Sequence, residues 1–263
     1  MTGRRGVPGE TLEVQWDHAA LLLAGGVGSG LTGSMAGLAS LISYPTLLAV
    51  GLPPIAANVT NSVGLLASGA GSAAGSRVEL RGQGPRILRQ SGYALLGGTV
   101  GAILLMNTTA TVFERIVPVL IALAALVLLL RDRLRGWYTR PKARFTQPPL
   151  GLAVFLIGVY GGYFGAAAGV LMLAVLSMSV VEPLAVSNAV KSVVLCASNA
   201  AAAILYAVVA PVHWAAALLL GLGCLIGSWI GPSLVRRTPE RPLRIVIALA
   251  ALGLACYLWM DAT

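Results

Sequence analysis

Asn58-Val59-Thr60-Asn61-Ser62-Val63-Gly64-Leu65-Leu66-Ala67-Ser68 returns later in the chain as Asn188-Ala189-Val190-Lys191-Ser192-Val193-Val194-Leu195-Cys196-Ala197-Ser198. Six positions are identical at identical spacing, and Lys191 of the second copy stands where the first has Asn61. A second pair of segments keeps the same order. Glu114-Arg115 leads into Ile121-Ala122-Leu123-Ala124-Ala125-Leu126, as Glu240-Arg241 leads into Ile247-Ala248-Leu249-Ala250-Ala251-Leu252. The chain therefore reads as an internal duplication.

The 263 residues are 57% hydrophobic and 10% charged. Long stretches without charge meet the length criterion for a membrane-spanning helix several times. The fold class expected is an all-α polytopic membrane protein of two homologous repeats. The net charge of +9 sits in short Arg and Lys clusters, which reads as membrane topology, so nucleic acid is not expected as a partner. Cys196, Cys224 and Cys256 all lie in apolar spans, and neither a disulfide framework nor a metal-ligand spacing is present. No cofactor and no metal is implied.

The polar breaks divide the chain into a polar N-terminal tail (1–17), a first transmembrane repeat (18–130), a basic linker (131–149) and a second transmembrane repeat (150–263). Each repeat opens on a Gly-rich stretch, near 18–51 and 150–181. Spans follow near 54–76, 90–106 and 117–130, then near 184–210, 214–235 and 243–260. Equivalent loops carry opposite charge. The loop with Arg77, Arg81, Arg86 and Arg89 corresponds to the uncharged Ala210-Pro211-Val212-His213. The next loop has Arg115 beside Glu114 in the first repeat but Arg236, Arg237, Arg241 and Arg244 in the second. Because Lys and Arg mark the cytoplasmic face, this is the pattern of two repeats inserted in opposite orientations. Inversion needs an odd number of crossings per repeat, so each Gly-rich stretch is expected to break into two short helices. Eight plain spans are the alternative.

Lys191 lies about 12 Å along its helix from Pro183. A lysine so placed costs roughly 2.5–3.5 kcal/mol on insertion scales and usually faces a cavity or a partner. It could snorkel or pair with Glu182; as a functional group it would donate to an anion, framed by Asn188, Ser192 and Asn199. Asn58, Thr60, Asn61 and Ser62 form the matching cluster of the first repeat, to which packing between helices is the structural alternative. Gly33 and Gly37 match Gly165 and Gly169, and a helix broken there would offer a positive dipole end to an anion. These twelve residues are the candidate substrate-binding set. No Asp or Glu lies inside a span, and no nucleophile and base pair is evident, so no catalytic residues are assigned and an enzyme is not expected.

Pro45 with Leu47-Leu48-Ala49-Val50-Gly51-Leu52-Pro53-Pro54, Tyr163-Phe164-Gly165, Asn188-Ala189-Val190-Lys191 and Val212-His213-Trp214 together resemble the sulfite exporter TauE/SafE family of sulfur-anion permeases. The likeness runs from about residue 18 to 260. It implies a bacterial inner-membrane permease that exports small organic or sulfur-containing anions such as sulfite or sulfonates. Its partners would be the anionic substrate and the lipid bilayer, and a homo-oligomer is compatible with the sequence. A non-transporting membrane scaffold or assembly subunit is the other class.

The charge pattern generates a topology test. Single cysteines placed beside Arg81, Lys142 and Arg237 should all be labelled from the cytoplasmic side. Arg237 on the face opposite Arg81 would leave eight plain spans.

Overall fold

A computed structural model describes residues 16–130, 149–180, 182–235 and 240–261. Most of the expected N-terminal tail and basic linker, with Lys142, and the loop holding Arg236 and Arg237, lie outside the described residues. The described chain is ten helices without a strand. They are α1 (Trp16–Ala36), α2 (Ser40–Ala49), α3 (Pro54–Gly75), α4 (Gly84–Met106), α5 (Ala110–Leu129), α6 (Pro149–Tyr163), α7 (Ala168–Ser179), α8 (Leu184–Val209), α9 (Trp214–Val235) and α10 (Glu240–Asp261).

Four segments are long and apolar enough to cross a bilayer: Asp17–Ala36, Ala110–Leu129, Leu184–Val209 and Trp214–Ser233. The side-chain distribution agrees with a hydrocarbon solvent. On α4 five of the seven buried positions are small, Ala94, Gly97, Gly98, Gly101 and Ala102, beside Gln90 and Leu105, whereas Leu95, Leu96, Ile103 and Leu104 face outward. Lipid removes the drive to hide leucine, and small residues inside let backbones approach. The protein is an all-helical polytopic membrane protein.

Two helix starts differ from the sequence reading. Arg86 and Arg89 belong to the first turns of α4, which begins at Gly84 with Pro85 in its first turn, and Glu114-Arg115 lies within α5. Proline is preorganised for a helix start, and charge in a terminal turn can still reach the interface, so apolar content alone places these boundaries too late.

Both Gly-rich stretches break. Gly37, at φ +76°, separates α1 from α2; Gly165, at φ +77°, and Ala167, at φ +56°, separate α6 from α7. Side-chain hydroxyls from the preceding helices donate to carbonyls at both breaks. Ser29 Oγ donates to Ala39 O at 2.9 Å and Tyr160 OH to Ala166 O at 2.7 Å.

Helix packing pairs the two halves. α1 packs along α9 and α9 along α3; correspondingly α6 packs along α4 and α4 along α8, while α3 crosses α8 and α5 lies on α10. Exchanging α1–α5 for α6–α10 turns one set of contacts into the other. Glycines set the close approaches. Gly97 lies on the Phe155 carbonyl and Gly101 on that of Val159, as Gly223 lies on Leu23 and Gly227 on Val27. Gly101 also adjoins the Tyr163 amide and Gly227 that of Leu31, so Tyr163 corresponds to Leu31 and Gly165 to Gly33. The breaks do not keep this register. α6 ends at Tyr163, but α1 continues about one turn past Leu31, to Ala36. The left-handed residue at the first break is therefore Gly37, whose conformational counterpart is Gly165. Gly33 stays helical.

The extended tip of α1 meets the start of α7 backbone to backbone. A Cβ on Gly37 would lie 2.5 Å from the Gly169 carbonyl carbon and 2.6 Å from its Cα. Gly37→Ala should lower the thermal midpoint of the detergent-solubilised protein well beyond Gly82→Ala. Gly82 has the same left-handed backbone, at φ +77°, but nothing within 4 Å of its Cβ position. The left-handed conformation costs about 1–2 kcal/mol in both, so equal losses would show that the α1–α7 approach is not tight.

Candidate functional site

A cavity of about 70 Å³ opens where α3 crosses α8 beside both helix breaks. It exceeds the roughly 10–15 Å³ needed for one water, and suits a small polar ligand. Of the twelve sequence candidates, nine line it: Gly33, Gly37, Asn61, Ser62, Gly165, Gly169, Lys191, Ser192 and Asn199. Asn61 and Lys191, equivalent in the two copies, face this same space.

The other three candidates serve the frame. Asn58 Nδ2 donates to Tyr163 O at 2.8 Å, and Asn188 Nδ2 donates to Ser34 O at 2.6 Å. Each asparagine of one half thus holds the C-terminal end of the broken helix of the other half. Thr60 Oγ1 accepts from the His213 amide at 3.1 Å, which ties α3 to the start of α9.

Lys191 is 1% exposed. Its Nζ donates to Asn188 Oδ1 at 2.8 Å and to Gly33 O at 3.1 Å. A C-terminal helix end carries partial negative charge, so the ammonium sits where α1 stabilises it. Glu182, the carboxylate considered as its partner, accepts from Arg86 Nη1 and from Ser187 Oγ, both at 2.5 Å. Arg86 Nη2 also donates to Leu176 O at 3.1 Å, so this pair clamps α4 to the end of α7 and the start of α8.

Two helix N-termini reach the same cavity. Ala39 and Ser40 begin α2, and Ala168 and Gly169 begin α7; all four are lining residues. Their first-turn amides give partial positive charge to the cavity, beside the end of α1 that holds Lys191: Ala39 packs on Gly33 and Gly169 on Gly37.

Sequence reasoning missed Ser40, Ser68, Ser72, Gly161 and Phe164, which also line the cavity. Ser68 lies in the duplicated pattern, and Gly161 in the second Gly-rich stretch, so both had a signal. Phe164 follows the last residue of α6 and belongs to an aromatic group. Its ring lies edge-on to Tyr44 at 5.2 Å and near Phe113 at 6.2 Å. No local pattern marks that grouping. Cys196 also lines the cavity, and its Sγ approaches Leu66 O at 3.8 Å.

A membrane-embedded helical bundle around a buried cavity with one lysine is the architecture of a polytopic membrane transporter. The chain belongs to the family described as Sulfite exporter TauE/SafE, which matches residues 21–258. Relatives agree over most of their length. The chain is 27% identical over 237 residues to "Probable membrane transporter protein YfcA" of Escherichia coli (strain K12), covering 89% of this chain and 87% of that protein. It is 28% identical over 247 residues to "Probable membrane transporter protein" of Haemophilus influenzae, covering 90% and 94%. It is 27% identical over 241 residues to "Probable membrane transporter protein ORF9" of Sinorhizobium sp, covering 89% and 90%. No solved structure matches. The protein is a membrane transporter, integral to the bacterial inner membrane.

The cysteines offer a test of the cavity. N-Ethylmaleimide should modify Cys196, which is half-buried at the wall, and spare Cys224, which is buried. Methanesulfonate should slow modification of Cys196, read by mass spectrometry. Equal rates with and without the anion would place anion binding elsewhere.

Proposed function

We propose that the protein is a secondary transporter that exports small organic or sulfur-containing anions, of the sulfite or sulfonate type, through the cavity between α3 and α8. One observation carries this reading: a buried ammonium and the N-termini of two short helices converge on one small cavity. Each supplies positive potential, and together they suit a compact oxyanion better than a cation or a neutral solute. The family description, Sulfite exporter TauE/SafE, supports the substrate class.

Transport is by alternating access of two inverted repeats. The reversed charge of equivalent loops and the matching contacts of the two sets of five helices support it. The contact of α3 with α8 is its own image under that exchange and the cavity lies beside it, which supports a model in which rocking one set against the other exposes the cavity to each face in turn. Outward movement agrees with energetics. A monovalent anion leaving an inside-negative cell gains about 2.3 kcal/mol per 100 mV.

Lys191→Met removes the ammonium while keeping the length and apolar stem of the side chain. Efflux of radiolabelled sulfite from proteoliposomes should fall at least tenfold, since a charge-assisted hydrogen bond contributes about 1.5–3 kcal/mol. The variant leaves Asn188 Oδ1 and Gly33 O without that donor, so a moderate loss of stability is also expected. Lys191→Arg should restore charge but not flux, because a planar guanidinium does not fit the place of a compact ammonium. Undiminished efflux with Lys191→Met would remove the lysine from the transport site.

A further inference from the structure

Among the equivalent cavity-lining positions of α3 and α8, Ser62 and Ser192 and Leu65 and Leu195 are identical, Gly69 corresponds to Asn199, and one pair, Asn61 and Lys191, differs in charge. On α8, Asn188 and Lys191 are three residues apart, and Lys191 Nζ bridges Asn188 Oδ1 and the carbonyl of Gly33. On α3 the equivalent pair is Asn58 and Asn61, each 1% exposed. Asn58 Nδ2 is fixed on Tyr163 O, as Asn188 Nδ2 is fixed on Ser34 O, so the orientation of both amides is set by the same bond. Asn58 Oδ1 is then the counterpart of the oxygen that receives the Lys191 ammonium. It is buried, and among the described residues neither it nor Asn61 Oδ1 has a hydrogen-bond donor. Two buried carboxamide oxygens without donors are costly, and they lie on one face of α3, three residues apart.

A third oxygen completes the correspondence. Gly33 precedes the left-handed Gly37 by one turn, and Gly161 precedes the left-handed Gly165 by one turn. Gly161 and Asn61 line the same cavity. All three oxygens are acceptors; the Gly161 carbonyl lies near the negative end of the broken helix α6, and the counterparts of Asn58 Oδ1 and the Gly161 carbonyl, Asn188 Oδ1 and the Gly33 carbonyl, receive the Lys191 ammonium.

We propose that Asn58 Oδ1, Asn61 Oδ1 and the Gly161 carbonyl bind a monovalent alkali cation at the position that corresponds to Lys191 Nζ in the other half. Neutral oxygens at the C-terminal end of a broken membrane helix are the chemistry such ions take. Divalent ions favour carboxylates, and among the described residues no cluster of acidic, histidine or cysteine side chains is able to hold one. The cation supplies on α3 the charge that Lys191 supplies on α8, which places two positive groups at one cavity and tightens the binding of an anion between them.

The test needs no transported anion, so its failure is separate from that of the anion-export reading. Thermal unfolding of the purified full chain in detergent is followed by tryptophan fluorescence in lithium, sodium, potassium or choline chloride at equal ionic strength. At least one alkali ion should raise the midpoint saturably above choline. Asn61→Lys, which tethers an ammonium at the same place, should lose that response and unfold no lower than the wild type does in choline. Asn61→Leu should lose it as well. Equal midpoints in all four salts would mean that the oxygens hold water only, and would overturn the proposal. So would a response that survives in both variants, or a failure of Asn61→Lys to fold in any salt.

Discussion

Breaking a helix inside a membrane frees backbone carbonyls and amides where no bulk water can receive them, and everything around the cavity follows from how those groups are held. Each unsatisfied group costs several kcal/mol in hydrocarbon. The chain resolves this by exchange between its halves. Asn58 on α3 holds the end of α6, and Asn188 on α8 holds the end of α1. Neither broken helix is complete within its own half, so the halves must assemble for either break to be stable. The same exchange brings α3 and α8 into contact at the breaks, which is where the cavity lies.

Charge then separates two walls that the duplication would make alike. Lys191 is held by oxygens, from Asn188 and from the extra turn of α1 that ends at Gly37. Its ammonium is oriented before any substrate arrives, and a site whose donors are already oriented loses little freedom on binding. The extra turn also carries Gly37 onto Gly169, so the wall that positions the lysine is the one where the two broken helices touch. Outside this region the bundle is ordinary membrane packing. Glycine and alanine make up most of the inward face of α4, and Leu95, Leu96, Ile103 and Leu104 face outward.

The duplication, the two breaks and the isolation of Lys191 were legible because each is a local pattern. Repeated spacing, dense glycine and a lone charge in an apolar run need no knowledge of tertiary structure. The register of the first break was not legible. Gly33 and Gly165 match by spacing and by helix packing, yet the chain turns at Gly37, because only the contact with Gly169 and the donors from Asn188 and Lys191 select that residue. The division of labour within the duplicated pattern was hidden for the same reason. Asn58, Thr60 and Asn188 look like their cavity-facing neighbours in sequence, but their partners, Tyr163, His213 and Ser34, lie far away in the chain. The clamp of Arg86 on Glu182 joins segments that composition assigns to separate loops.

The central claim is that the cavity between α3 and α8, with Lys191 at its wall, is where the anion binds. Crystals grown with selenite, an oxyanion heavy enough to locate by anomalous scattering, test it most directly. The account predicts a single strong anomalous peak within hydrogen-bonding reach of Lys191 Nζ and of the first-turn amides of α2 or α7. A peak only at the Arg86 clamp or on the protein surface, with none in the cavity, would contradict it.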